Sequence, residues 1–172
     1  MGKERIFVTL GSKGKGWLKI FHILFSCGWL GGAVAMAMLD FIRGDIVVSG
    51  DALYAVNASM KIIDDYIVIP SAIGCLVTGL FFSWLTNWGF TKFYWVIVKW
   101  VLTVVAILFG TFFIGPWLNE LVEISRIERI LALQNAVYLS HFQSHALSSL
   151  VQIASMIFMI VISVLKPWGK RG

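Results

Sequence analysis

The chain divides into four long apolar blocks separated by short polar stretches, at residues 17–39, 62–85, 93–118 and 145–166. A helix needs about 20 predominantly apolar residues to cross the roughly 30 Å hydrocarbon core. Each block reaches that length, and each reads as a transmembrane helix. The pattern predicts an all-α membrane protein, a four-transmembrane-helix up-down bundle forming a single domain over 1–172. The connections differ. Residues 86–92 make a short link, so spans two and three are antiparallel neighbours. Residues 40–61 are polar, but from about Asp51 they take helical spacing that lengthens span two. Residues 119–144 alternate Leu, Ile and charge at helical spacing and extend spans three and four beyond the apolar blocks. Pro70 is expected to bend span two, and Pro116 to mark the end of span three.

Composition supports this pattern: 59% of residues are hydrophobic and 13% charged, against about 25% charged in an ordinary soluble domain. The first block is preceded by basic residues and contains Ala33-Val34-Ala35, features of a signal peptide. Its apolar run is longer than a signal core, so it reads as a retained helix. Residues 1–16 read as a basic cytoplasmic tail. Gly11–Gly16 lacks the GK[ST] ending of a phosphate loop and is expected to be flexible and lipid-facing. Ile6 stands where a myristoylation signal needs Ser or Thr.

The net charge of +5 would suggest nucleic acid in a soluble protein, but here its distribution along the chain matters more. With the N-terminus inside, nine basic residues fall on the cytoplasmic side: Lys3, Arg5, Lys13, Lys15, Lys19, Lys92, Lys166, Lys170 and Arg171. Only four (Arg43, Lys61, Arg126, Arg129) fall outside. Both termini are therefore expected in the cytoplasm, in a bacterial-type cytoplasmic membrane. The lipid bilayer is the expected partner, with a homo-oligomer or a membrane partner subunit open and no nucleic acid. Trp17, Trp84, Trp88, Trp95 and Trp168 at the cytoplasmic ends, with Trp117 at the outer end, form an aromatic belt.

Small residues indicate how the spans pack. Gly28 and Gly32 permit close backbone approach on span one, and Gly74 and Thr78 do so on span two. Cys27 and Cys75 lack a metal-binding spacing and read as small packing residues.

Ionisable groups within spans are expensive and face a partner or cavity. His22 lies five residues into span one and Lys99 six into span three. At 1.5 Å per residue both lie about 7 to 9 Å from the cytoplasmic boundary. They either snorkel and bond locally or line one polar pocket for an anionic or metal-bearing ligand. Trp29, on the same face as His22, would wall a flat cofactor or fill the core. Near the outer end His141 and His145 share a helical face, continued roughly by Ser148, Gln152, Ser155, Met159 and Ser163. With Met36 and Met38 this set would suit copper, and with carboxylates zinc. His22 and the pair His141/His145 are about 25 Å apart along the normal, too far to ligate one haem.

The run Trp17-Leu18-Lys19-Ile20-Phe21-His22 followed by Trp29-Leu30-Gly31-Gly32 resembles the first helix of small bacterial membrane proteins related to the copper-resistance D-like domain. Pro70 with Gly79, and Trp95-Val96-Ile97-Val98-Lys99-Trp100, look like that family's later segments. His22 with Lys99 is also similar to the HemJ-type membrane protoporphyrinogen oxidases, although this chain lacks the Arg and Tyr-His those proteins carry at the end of helix one. The resemblance implies a haem- or copper-associated membrane role carried by His22 and Lys99. Three functions are open: a haem b-binding protein with a redox or haem-handling role, a copper or zinc handling protein, and a non-catalytic accessory subunit. No catalytic residue is assigned. No hydrolase nucleophile constellation and no phosphate-binding motif is visible.

Overall fold

A computed structural model describes residues 10–86 and 88–169. The basic residues Lys3, Arg5, Lys170 and Arg171 lie outside them. The described residues form four helices long and apolar enough to cross a membrane: α1 (Ser12–Ile46), α2 (Gly50–Leu85), α3 (Tyr94–Gln134) and α4 (Ala136–Leu165). They run up and down in one bundle. We call the end carrying Ser12, Leu85, Tyr94 and Leu165 the near end, and the other the far end. The longest helix, α3, has 41 residues, about 60 Å at 1.5 Å per residue and twice the hydrocarbon thickness. The bundle therefore continues well past its apolar spans, as the helical spacing of 119–144 predicts.

Local chemistry sets most boundaries. Ser49 caps α2 by accepting from Ala52 N at 3.1 Å, with Asp51 in the first turn. Asn135 caps α4 by accepting from Val137 N at 2.9 Å. The link between α1 and α2 is only Val47–Ser49, shorter than the polar stretch 40–61 suggested. At the start, Ser12–Gly16 forms the first turn of α1 rather than a flexible tail. Both ends of that segment are tied: Lys15 N donates to Gly11 O, and Leu10 N to Leu85 O on α2.

Both intrahelical prolines follow a widened turn. Asp64–Val68 and Gly110–Ile114 are π-helical, closing with Ile69 N on Asp64 O and Gly115 N on Gly110 O. Pro70 and Pro116 come immediately after. A proline has no N–H and its ring collides with the carbonyl four residues earlier; a π turn opens the ladder at that carbonyl. The helix therefore continues through Pro116 to Glu128, beyond the apolar span, and a 3₁₀ turn over Arg129–Gln134 follows.

The glycine seam behaves as its spacing predicts. A Cβ on Gly28 would stand 2.4 Å from Ser71 Oγ, and one on Gly32 2.7 Å from Val68 Cγ2. α1 and α2 therefore pack with backbones close along their length, which in lipid rests on van der Waals contact. At the far end Gly50 abuts Arg129, whose Cβ would be 2.4 Å from an added methyl. The core forms three layers. Trp29, Ala72, Cys75, Ala106, Met156 and Met159 lie nearest the middle; Met36, Val56, Met60 and Leu118 follow; Leu53, Leu121, Ala132 and Tyr138 fill the far end.

Candidate functional site

In the near half the helices leave a cavity of about 630 Å³, within the range of small-molecule and cofactor sites. His22 from α1 and Lys99 from α3 both line it, as does Trp29. The two residues that sequence places at one depth, and the Trp29 it places on the face of His22, thus line one space. Aromatic walls come from Phe82, Trp88, Trp95 and Trp100. Trp95, assigned by sequence to the interfacial belt, is instead buried, edge-on to Trp88 at 5.6 Å.

His22 is held in a defined state. Its Nδ1 lies 2.7 Å from Thr78 Oγ1, and that hydroxyl stands 2.6 Å from Gly74 O. The carbonyl can only accept, so the hydroxyl proton goes to it and Thr78 oxygen accepts from His22 Nδ1–H. The lone pair then sits on Nε2, which has no hydrogen-bond partner among the described residues. A ring fixed through one nitrogen and bare at the other is how ligating histidines are arranged. Gly79 adds to this: a Cβ built there comes 4.0 Å from His22 Cε1. Phe82 meets the imidazole edge-on at 5.5 Å. Ser26 donates to His22 O at 2.7 Å and approaches Cys75 Sγ at 3.4 Å. Both cysteines are free, Cys75 buried and Cys27 exposed.

Lys99 lines the same cavity as His22. It has no ion pair and no hydrogen bond among the described residues. On the α2–α3 side the wall is closed by Trp100 Nε1 donating to Ser83 Oγ at 3.0 Å. Deeper in, Thr103 Oγ1 donates to Met159 Sδ at 3.4 Å.

The second group of residues does not assemble as a metal centre. His145 is fully buried, with Nδ1 3.1 Å from Asp40 Oδ2. His141 Nδ1 lies 2.9 Å from Glu120 Oε2, off the line of a hydrogen bond. The two rings therefore face carboxylates of different helices. Met36 is packed in the core against Val56, Met60 and Leu118, while Met38 is 59% exposed on the outer surface of α1. Among the described residues no three His, Cys, Asp or Glu gather as metal ligands. Helical phase is the reason: Met36 and Met38, two apart, are about 200° apart around the axis. The polar stripe of α4 is shifted similarly, with Ser149 buried and Ser148 and Ser155 at its edges.

What occupies the far half is a buried polar network that sequence reading missed. Arg43, 6% exposed, donates to Tyr138 Oη, to Asn57 Oδ1 at 2.8 Å and to Asp40 Oδ1 at 3.1 Å. Asn57 Nδ2 in turn donates to Leu121 O at 3.1 Å and Ser125 Oγ at 2.9 Å. The Arg43 guanidinium also lies 4.4 Å from the Phe142 ring centroid. All four helices contribute. Arg43 falls just beyond the first apolar block, and so reads as a loop charge; Met36, Asp40 and Arg43 nevertheless continue one helical face at spacing four and three.

No protein-family model, curated protein or solved structure matches this chain.

Proposed function

We propose that this protein, in a bacterial cytoplasmic membrane with its near half toward the cytoplasm, binds haem b in the near-half cavity, where His22 Nε2 would hold the iron. The observation that carries the reading is the state of that imidazole: Nδ1 tied through Thr78 to Gly74 O, Nε2 bare, in an aromatic-walled space of about 630 Å³. A ring nitrogen with no hydrogen bond among the described residues, on the wall of an apolar cavity, is free to take a ligand, and helix bundles hold porphyrins between facing helices. Trp29 and Trp95 offer flat apolar faces to a macrocycle. Lys99, free of any carboxylate partner among the described residues, supplies positive charge for a propionate. Bound haem would supply one-electron chemistry. The chain's own part would be to orient one imidazole through Thr78, exclude water with its tryptophans and neutralise an acid group with Lys99. The excess of basic residues at the near end supports the orientation.

The test is the absorption spectrum of the protein purified after haem-supplemented expression. A Soret band in the wild type that disappears in His22→Ala is expected. A colourless wild type, or an undiminished band in His22→Ala, contradicts the reading.

A further inference from the structure

We propose that the cavity accepts its ligand sideways from the lipid, between the near halves of α1 and α4, and that it selects an anionic amphiphile: an apolar body carrying an acid group. The inference rests on reading this cavity as a ligand site, and not on the ligand being haem.

Charge gives the first argument. Among the described residues three lysines line the cavity (Lys19, Lys99 and Lys166) and no Asp or Glu does. The whole molecule is segregated in this way. Among the described residues every carboxylate lies in the far half, from Asp40 and Asp45 to Glu128. The far-half cations all have acid partners there: Arg43 with Asp40, Lys61 with Asp65, Arg126 with Glu123, Arg129 with Asp51. The cavity lysines have none among the described residues. Lys166 Nζ instead stands 5.5 Å over the Trp88 ring. An ammonium in an apolar wall is costly unless paired, so the missing partner is an anion brought by the ligand.

Exposure gives the second. The lining residues of α2 and α3 are buried or half-buried, closed at the back by the Trp100–Ser83 bond. Apart from Trp88 in the α2–α3 link, those left exposed lie on α1 and at the near end of α4: Lys19, Ile23 and Cys27 on one lip, Ile160, Val164 and Lys166 on the other. α1 and α4 are joined in the far half by Asp40–His145, and in the near half both line the cavity. The lips are apolar with a lysine on each at the near end, so the mouth meets acyl chains while its cations sit toward the headgroups. A molecule already in the leaflet, acid group at the surface and apolar body below, matches that distribution.

The experiment uses the purified full chain with a fluorescent probe, anthroyloxy-labelled stearic acid, and its methyl ester, followed by energy transfer from the cavity tryptophans. The acid is expected to bind saturably and the ester about tenfold more weakly, the scale of one charge-assisted contact. Lys19→Gln/Lys166→Gln and Lys99→Met are each expected to weaken acid binding several-fold while leaving ester binding unchanged. The exposed double variant keeps the test decisive if Lys99→Met does not fold. Equal binding of acid and ester, or wild-type acid binding in these variants, overturns the proposal. Cys27→Trp, plugging the mouth, is expected to slow probe uptake from neutral vesicles; an unchanged rate overturns the sideways route. His22→Ala separates the two readings, because it removes a Soret band and spares acid binding. Acid binding in a protein that never takes up haem would leave this inference standing and end the haem reading. A Soret band with acid and ester indistinguishable would do the reverse.

Discussion

The far and near halves of the bundle treat buried polarity in opposite ways. In the far half most buried polar groups are spent on one another: Arg43 donates to Asp40, Asn57 and Tyr138, and Asn57 to Leu121 O and Ser125, while Arg43 Nε and His145 Nε2 stay buried without a partner among the described residues. In the near half they face a space: His22 keeps Nε2 bare and Lys99 has no acid partner among the described residues. A network of this kind adds rigidity and registers four helices. An open set costs stability and makes sense where something binds. One half therefore reads as the clamp and the other as the site.

The largest effect is expected at the clamp. Arg43→Met leaves Asp40 with His145 alone and takes the donor from Asn57 Oδ1 and Tyr138 Oη; breaking a buried pair in this way costs about 3 to 5 kcal/mol, read as a lowered midpoint in denaturant. A cost under about 1 kcal/mol, the scale of a surface pair, would mean that the far half is not the stabilising half. Lys99→Met should act with the opposite sign. Removing an intramembrane ammonium relieves up to about 2.5 to 3.5 kcal/mol on insertion scales, so the ligand-free variant is expected to melt higher while binding its ligand less well. A lower melting point would show that Lys99 is satisfied within the fold. Thr78→Val removes the acceptor that fixes His22 and is expected to weaken haem binding about 10- to 100-fold, with the protein otherwise folded; titration by absorbance measures it. The smallest change belongs to Trp100→Phe, which loses one bond to Ser83 and should cost about 0.6 kcal/mol.

How much of this was legible in the sequence follows the same division. Hydropathy locates the four helices because span length is fixed by bilayer thickness. Depth counting puts His22 and Lys99 at one level because helix rise is constant. Neither device sees helix phase beyond a block's end. Arg43 lies four residues past the first apolar block, counts as an outer charge, and turns out to be the centre of the far half. Its signal was the continuation of one face through Met36, Asp40 and Arg43, matched by Tyr138, His145 and Ser149 on α4. Met38 was misplaced for the complementary reason: the right depth and the wrong side of the helix. The π turns before Pro70 and Pro116 depend on how the chain accommodates a lost N–H, and residue spacing does not disclose whether a proline ends a helix or is absorbed by it. Lys19 and Lys166 served only as topology counts, although their place on the rim of the cavity makes them part of its chemistry.

The decisive measurement is low-temperature electron paramagnetic resonance of the ferric protein, reconstituted with haem, in the wild type and in His22→Ala. A low- or high-spin ferric signal with nitrogen ligation in the wild type, absent from a His22→Ala protein that still melts like the wild type, is the predicted result. The same signal in both proteins would place the iron elsewhere and contradict the assignment of His22 and its cavity.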